Sequence, residues 1–210
     1  MRLVLWNGSP KAKGSASAVF LDYLAGQAGP EHTLCRVGGL KAPAAADFRG
    51  ADALILAFPL YVDGIPGHLL GMLEALEPDL RVLAPEAKVY AVINCGFFEA
   101  GQCAHAMELL RHWCRRAGLC WGRGVCVGGG GMANAAPLGR GGPLSPIARA
   151  LDALAASVLS GGLGEDILAQ PALPRRLYVA AAHLGWNKTG RKNGLSKADL
   201  CAPLEKGAPR

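Results

Sequence analysis

The chain has 210 residues, 51% of them hydrophobic and only 6% aromatic, with a formal net charge of +6. That length buries a substantial core and suits one domain with an extension, while the lack of any apolar run of about 18–20 residues excludes a membrane-spanning helix. The charge is uneven: residues 1–174 hold 14 Lys and Arg against 14 Asp and Glu, so the whole excess lies C-terminal to them.

Met1-Arg2 leads directly into a strand-like run with no secretory cleavage pattern, so a cytoplasmic protein is expected. The first element is that run, residues 2–7, ending in Gly8-Ser9-Pro10. From Ser15 onward Ala16, Val19, Phe20, Tyr23 and Leu24 recur at helical spacing. A second strand is expected at 33–37. Residues 52–58 form a nearly continuous apolar run of the kind buried on both faces of a parallel sheet. Pro66 suits a first helical turn, with Leu69, Met72, Leu73 and Leu76 on one face, and Pro78 is expected to stop that helix. Residues 88–94 read as the fourth strand. A helix follows from about Gln102 with Cys103, Met107, Leu110 and Cys114 inward and Gly118 near its end. The fifth strand is expected at 121–127, and Ser145-Pro146 opens a last helix with Ile147, Leu151, Leu154 and Val158 inward.

Strands alternating with helices predict an α/β fold: a five-stranded parallel sheet in the order 2-1-3-4-5, with helices on both faces and right-handed crossovers. Residues 128–143 are rich in Gly and too long for an ordinary connection, and about 161–174 reads as a join to a C-terminal extension. The domain reading is therefore 1–165 as the folded domain and 166–210 as a basic extension. In the extension, Arg175, Arg176, Lys188, Arg191, Lys192, Lys197, Lys206 and Arg210 face only Asp199 and Glu205. Without a continuous basic helix or an aromatic ladder, nucleic acid is not an expected partner, and a solvated basic face is the simpler account. The apolar stretch 177–182 and Trp186 instead predict that the tail docks on its own domain or on a second subunit. The seven cysteines contain no C-x-x-C pair and no matched His spacing, so neither a metal site nor a disulfide framework is indicated, and most fall at apolar positions.

In doubly wound sheets ligands bind beyond the carboxyl ends of the strands, where the winding order reverses, so the segments after strands one, three and four are read together. The first, residues 8–17, is a small-residue loop opening a helix. Its backbone N–H groups and helix dipole favour a phosphate, with Ser9, Ser15 and Ser17 as hydroxyl donors; the alternative is a tight turn with an ordinary Ser cap. A Walker A loop is excluded because Lys precedes Gly14 rather than following it. Gly128-x-Gly130-x-x-Ala133 fits the dinucleotide fingerprint formally, but Pro137, Gly139 and Pro143 argue against the helix it needs. The second segment, Pro59-Leu60-Tyr61-Val62-Asp63-Gly64-Ile65-Pro66, offers an aromatic face and rigid backbone donors for a flat heteroaromatic ring. The third, Asn94-Cys95-Gly96-Phe97-Phe98-Glu99, repeats that chemistry, although Phe97 and Phe98 also suit a staple on the next helix.

Asn7-Gly8-Ser9-Pro10-Lys11, the Pro59 to Pro66 segment and Cys95-Gly96-Phe97 together resemble the NADPH-dependent FMN reductase-like family of the flavodoxin superfamily, over about residues 1–160. The resemblance implies a flavodoxin-like three-layer sandwich that binds FMN without a covalent bond and usually forms a homodimer. It places the FMN phosphate at Ser9, Lys11, Ser15, Ala16 and Ser17, and the ring between Pro59, Leu60, Tyr61, Val62, Asp63 and Asn94, Cys95, Gly96, Phe97. Ala16 stands where the family often has Thr or Ser, which removes a hydroxyl donor. The implied activity is an oxidoreductase that takes electrons from NADPH or NADH and delivers them to a small-molecule acceptor, with no catalytic side chain assigned. A flavodoxin-type electron carrier, or a binding module of the same fold that has lost FMN, are the alternatives.

Overall fold

The computed structural model describes residues 1–11 and 13–202, with the side chains of 82 and 83 left aside; Ala12 of the first loop and the tail beyond 202, with Lys206 and Arg210, lie outside the described residues. The chain divides into two units, Met1–Ala172 and Leu173–Arg210.

In the first unit the strands are β1 (Arg2–Asn7), β2 (Thr33–Gly38), β3 (Ala53–Pro59), β4 (Lys88–Asn94), β5 (Cys120–Val127) and β6 (Ile167–Ala169), and the helices are α1 (Ala16–Gln27), α2 (Gly67–Leu83), α3 (Ala104–Arg116) and α4 (Ser145–Ser160). The sheet is parallel throughout, in the order β2-β1-β3-β4-β5-β6. Successive residues of a strand point to opposite faces, which is why the uninterrupted apolar runs of β1, β3 and β4 feed two cores at once. Val4, Trp6, Leu54, Leu56 and Phe58 pack with Leu69, Leu73 and Leu110 of α2 and α3. Leu3, Leu5, Ile55 and Val92 pack on the other face with Phe20, Leu151 and Leu154 of α1 and α4.

The expected five strands become six. Residues 167–169, read as part of the extension, pair with Val125, Cys126 and Val127, and three residues are too few to show a period in sequence. A side chain holds them there. Asp166 accepts from Trp121 Nε1 at 3.1 Å and from the Gly124 amide at 2.8 Å, and pairs with Arg111 at 2.6 Å. The α4 crossover also departs from the expected handedness. The step from β5 to β6 runs in the same direction across the sheet as the step from β4 to β5, yet α4 covers the face of α1 and α3 the opposite face. The β5–α4–β6 connection is thus opposite in hand to the other crossovers, where one hand is nearly universal. Burial of Ile147, Leu151 and Leu154 beside Phe20 outweighs that preference.

The helix after Pro66 does not stop at Pro78 but runs on to Leu83. Proline removes one backbone donor and crowds the carbonyl four residues earlier, at a cost of about 3 kcal/mol in a helix interior. Pro78 is exposed, so water can reach that turn, and Leu80 one turn on from Leu76 is fully buried.

The second unit is a helix α5 (Arg175–Lys192) and a short α6 (Lys197–Cys201). Ser196 caps α6, accepting from the Asp199 amide while Asp199 accepts from the Ser196 amide. Gly190 is buried against Leu200, while Leu177, Leu184 and Trp186 are exposed.

Candidate functional site

The winding reverses between β1, which pairs with β2 on one side and β3 on the other, and the loops after β1, β3 and β4 lie at one end of the sheet. A single buried side chain ties the three together. Asn94, the last residue of β4, donates from its side-chain Nδ2 to Ser17 Oγ at 3.0 Å and to Phe58 O at 3.0 Å, and its backbone carbonyl accepts from the Leu60 amide at 2.8 Å. The start of α1 and the loop after β3 are therefore both anchored to the end of β4.

In the first loop, Asn7 accepts from the Ser9 amide at 3.0 Å and Ser9 Oγ accepts from the Lys11 amide at 3.3 Å, a pair of local turns that fold the chain tightly. Ser15 caps α1. Its hydroxyl accepts from the Ala18 amide at 3.1 Å and from Asn7 Nδ2 at 3.3 Å, which uses its acceptor capacity and leaves its proton to donate. The amides at the start of α1 lack intrahelical partners, as in any first turn. Lys11 is exposed, and its Nζ donates to Gly14 O at 3.0 Å across the loop. Ser9 and Ser17 are buried, and the Ser17 hydroxyl is engaged by Asn94. Ala16 lies half-buried beside them.

The second loop is a tight hairpin. Tyr61 and Gly64 exchange both backbone hydrogen bonds at 3.1 Å, with Val62 at φ 49° and Asp63 at φ 57° between them. Two central residues with positive φ define a primed turn, which ordinarily takes Asn-Gly; a β-branched residue there is strained. Val62 is wholly exposed and Tyr61 half exposed. Such strain persists only where its surroundings fix it, and the turn is flanked by the paired Tyr61–Gly64 hydrogen bonds and by the Leu60 amide donating to Asn94 O. In the third loop Phe97 is exposed, whereas the Cys95 side chain turns into the core. Tyr61, Val62 and Phe97 thus give the sheet end an exposed apolar rim, while Asn94 and Cys95 contribute through backbone and scaffold.

The glycine-rich run after β5 was not among the expected site residues, yet it carries the third loop. The amides of Gly129 and Gly130 donate to Phe97 O and Cys95 O, and a short 3-10 turn at Gly130–Asn134 follows in place of a long unstructured loop. A Cβ on Gly128 would lie 2.1 Å from Phe98 O, and one on Gly130 would lie 2.8 Å from the Asn94 side chain. The signal was visible as the dense glycine run; its purpose was not. Among the described residues, no group of three or more His, Cys, Asp or Glu side chains could hold a metal ion.

No family model and no curated protein matches this sequence. Solved structures do match. An NADH:FMN oxidoreductase in its apo form is similar at TM-score 0.59 and 14% identity, over 78% of this chain and 91% of that one. An azoreductase from Bacillus anthracis str. Sterne matches at TM-score 0.54 and 15% identity, over 76% and 100%. A short-chain flavodoxin associated with a bacterial microcompartment matches at TM-score 0.51 and 16% identity, over 76% and 98%. These likenesses, with the strand order, define a flavodoxin-like α/β fold.

Proposed function

We propose that the chain binds FMN noncovalently at the ends of β1, β3 and β4 and passes electrons from NADH or NADPH to a small-molecule acceptor such as a quinone or free flavin. The observation that carries this reading is the Asn94 tie, which holds a helix N-terminus beside two loops with an exposed apolar rim. The residues fit the cofactor: the Ser15 hydroxyl and the first-turn amides of α1 suit its phosphate, and Tyr61 and Phe97 offer faces to its ring.

Bound there, FMN would supply the two-electron chemistry. The chain's own work is binding and orientation. Ser15 donates its proton to a phosphate oxygen, Asn94 fixes the spacing between phosphate and ring subsites, and the rigid primed turn keeps Tyr61 in place. The chain is further proposed to act as a homodimer.

The oxidoreductase neighbours support turnover, and the flavodoxin neighbour supports the alternative of an electron carrier. The charge balance of residues 1–174, 14 basic against 14 acidic, favours turnover, because the carrier reading implies an acidic protein and docking by complementary charge would have to be reversed. A binding module without FMN is the reading that Ala16 favours. Purified protein showing the flavin absorbance bands, bleached by NADH or NADPH and recovered by a quinone, is the expected result. Colourless protein with no affinity for added FMN overturns the cofactor; a stable flavin that neither nucleotide reduces leaves the carrier.

A further inference from the structure

Helix α5 carries an exposed stripe that is apolar at one end and basic at the other. Steps of three and four residues place Leu177, Ala180, Ala181 and Leu184 on one side of the helix, and Lys188, Arg191 and Lys192 continue the same line. Every one of these residues is exposed, Leu177 at 61% and Leu184 at 71%. That spacing is the one by which a helix ordinarily meets a core, yet α5 packs by its other side. There Gly190 is buried against Leu200, and Tyr178, Val179 and Ala182 are half-buried.

The charge of the stripe is equally unanswered. Helix α5 holds five Lys and Arg and no Asp or Glu. Among the described residues of the second unit Asp199 is the one carboxylate, and it accepts from the Ser196 amide at 2.7 Å as part of the α6 cap. Among the described residues, Lys188, Arg191 and Lys192 form no ion pair. A partner that satisfies the whole stripe therefore presents negative charge beside an apolar phase.

We propose that this stripe docks the protein on an anionic lipid surface, with Leu177 and Leu184 at the acyl boundary and Lys188, Arg191 and Lys192 among the headgroup phosphates. The two leucines lie about 10 Å apart along the helix, and interfacial helices bury an apolar side to a depth of about 5–10 Å. Lysine and arginine stems lie along apolar surface while their charges stay in the headgroup layer. No helix among the described residues is long and apolar enough to cross a membrane, so the contact is peripheral. Nucleic acid would answer the three cations but offers the leucines no apolar phase, and the stripe has no aromatic ring on which bases could stack. The proposal is independent of flavin binding.

The test is sedimentation of the full-length protein with vesicles of phosphatidylcholine, alone or mixed with phosphatidylserine. The expected result is pelleting with the mixed vesicles only, reversed by high salt. Lys188→Gln, Arg191→Gln and Lys192→Gln together are expected to weaken that binding on the order of a hundredfold, since each cation near such a surface adds roughly fivefold. Leu177→Ser with Leu184→Ser is expected to weaken it on the order of tenfold through lost apolar burial. All five positions are exposed, so both variants are expected to keep the wild-type melting temperature. Absence of pelleting with the mixed vesicles, equal pelleting with phosphatidylcholine alone, or full binding by the glutamine variant overturns the proposal. Binding that ignores the two leucines also overturns it, and equal affinity for duplex DNA would then assign the stripe to nucleic acid.

Discussion

Ser15 does three things with one hydroxyl: it caps α1 through the Ala18 amide, accepts from Asn7, and keeps a proton for a ligand. Asp at that position still caps a helix but places negative charge where a phosphate would bind. Ser15→Asp is expected to fold normally by circular dichroism and to lose FMN affinity at least tenfold by fluorescence titration; full affinity would put the phosphate elsewhere. Ala16→Thr adds the missing donor and is expected to tighten FMN by about 1 kcal/mol, the ordinary net value of one hydrogen bond, measured in the same titration. Tyr90 shows what burial does to a hydroxyl. Its ring is fully buried and its one O–H proton is shared between Ser157 O at 3.1 Å and Gly162 O at 2.9 Å. Burial raises its pKa, with the neighbouring Cys120 adding and Arg123 opposing. Because the folded value lies above the unfolded one of about 10, its stabilisation is intact below that pH and is lost as pH rises beyond it. Tyr90→Phe is expected to lower stability near neutrality by about 1–2 kcal/mol and to flatten the alkaline decline in urea titrations above pH 10.

At the scale of elements, the third loop depends on the segment that follows β5. Gly128 is packed so closely on Phe98 O that no side chain fits, and the obstacle is backbone rather than a movable side chain. Gly128→Ala is expected to destabilise the fold by about 1–3 kcal/mol, as overpacking does, and to weaken FMN as well, because the Gly129 and Gly130 amides that hold Phe97 and Cys95 must shift with it. Gly131→Ala, with open space around the added methyl, is the control expected to leave both unchanged. A matched loss in the two variants, read by thermal melting and FMN titration, would deny Gly128 this role. Strand β6 teaches a related lesson: its pairing rests on Asp166 bridging Trp121, Gly124 and Arg111, a contact between residues far apart in the chain.

At the scale of the molecule, the basic excess and several exposed apolar side chains, Leu177, Leu184 and Trp186, are carried by the second unit. Removing residues 187–210 is expected to raise the nicotinamide KM or to weaken a dimer, measured by steady-state kinetics and sedimentation; unchanged kinetics and unchanged mass would leave the tail without a part in the reaction. The sequence by itself determined the α/β class, the five principal strands and the loops after β1, β3 and β4, because buried parallel strands read as apolar runs and glycine and proline punctuate the turns between them. Only the tertiary structure decided that Pro78 stays inside α2, that residues 167–169 extend the sheet, that α4 crosses with the opposite hand, and that Asn94 and Gly128 to Gly130 hold the candidate site together. Each of those depends on burial or on a hydrogen bond between distant residues, Leu80 in the core, Asp166 on β5, α4 against α1, Asn94 on Ser17, and no local pattern along the chain encodes which distant partner a residue will meet.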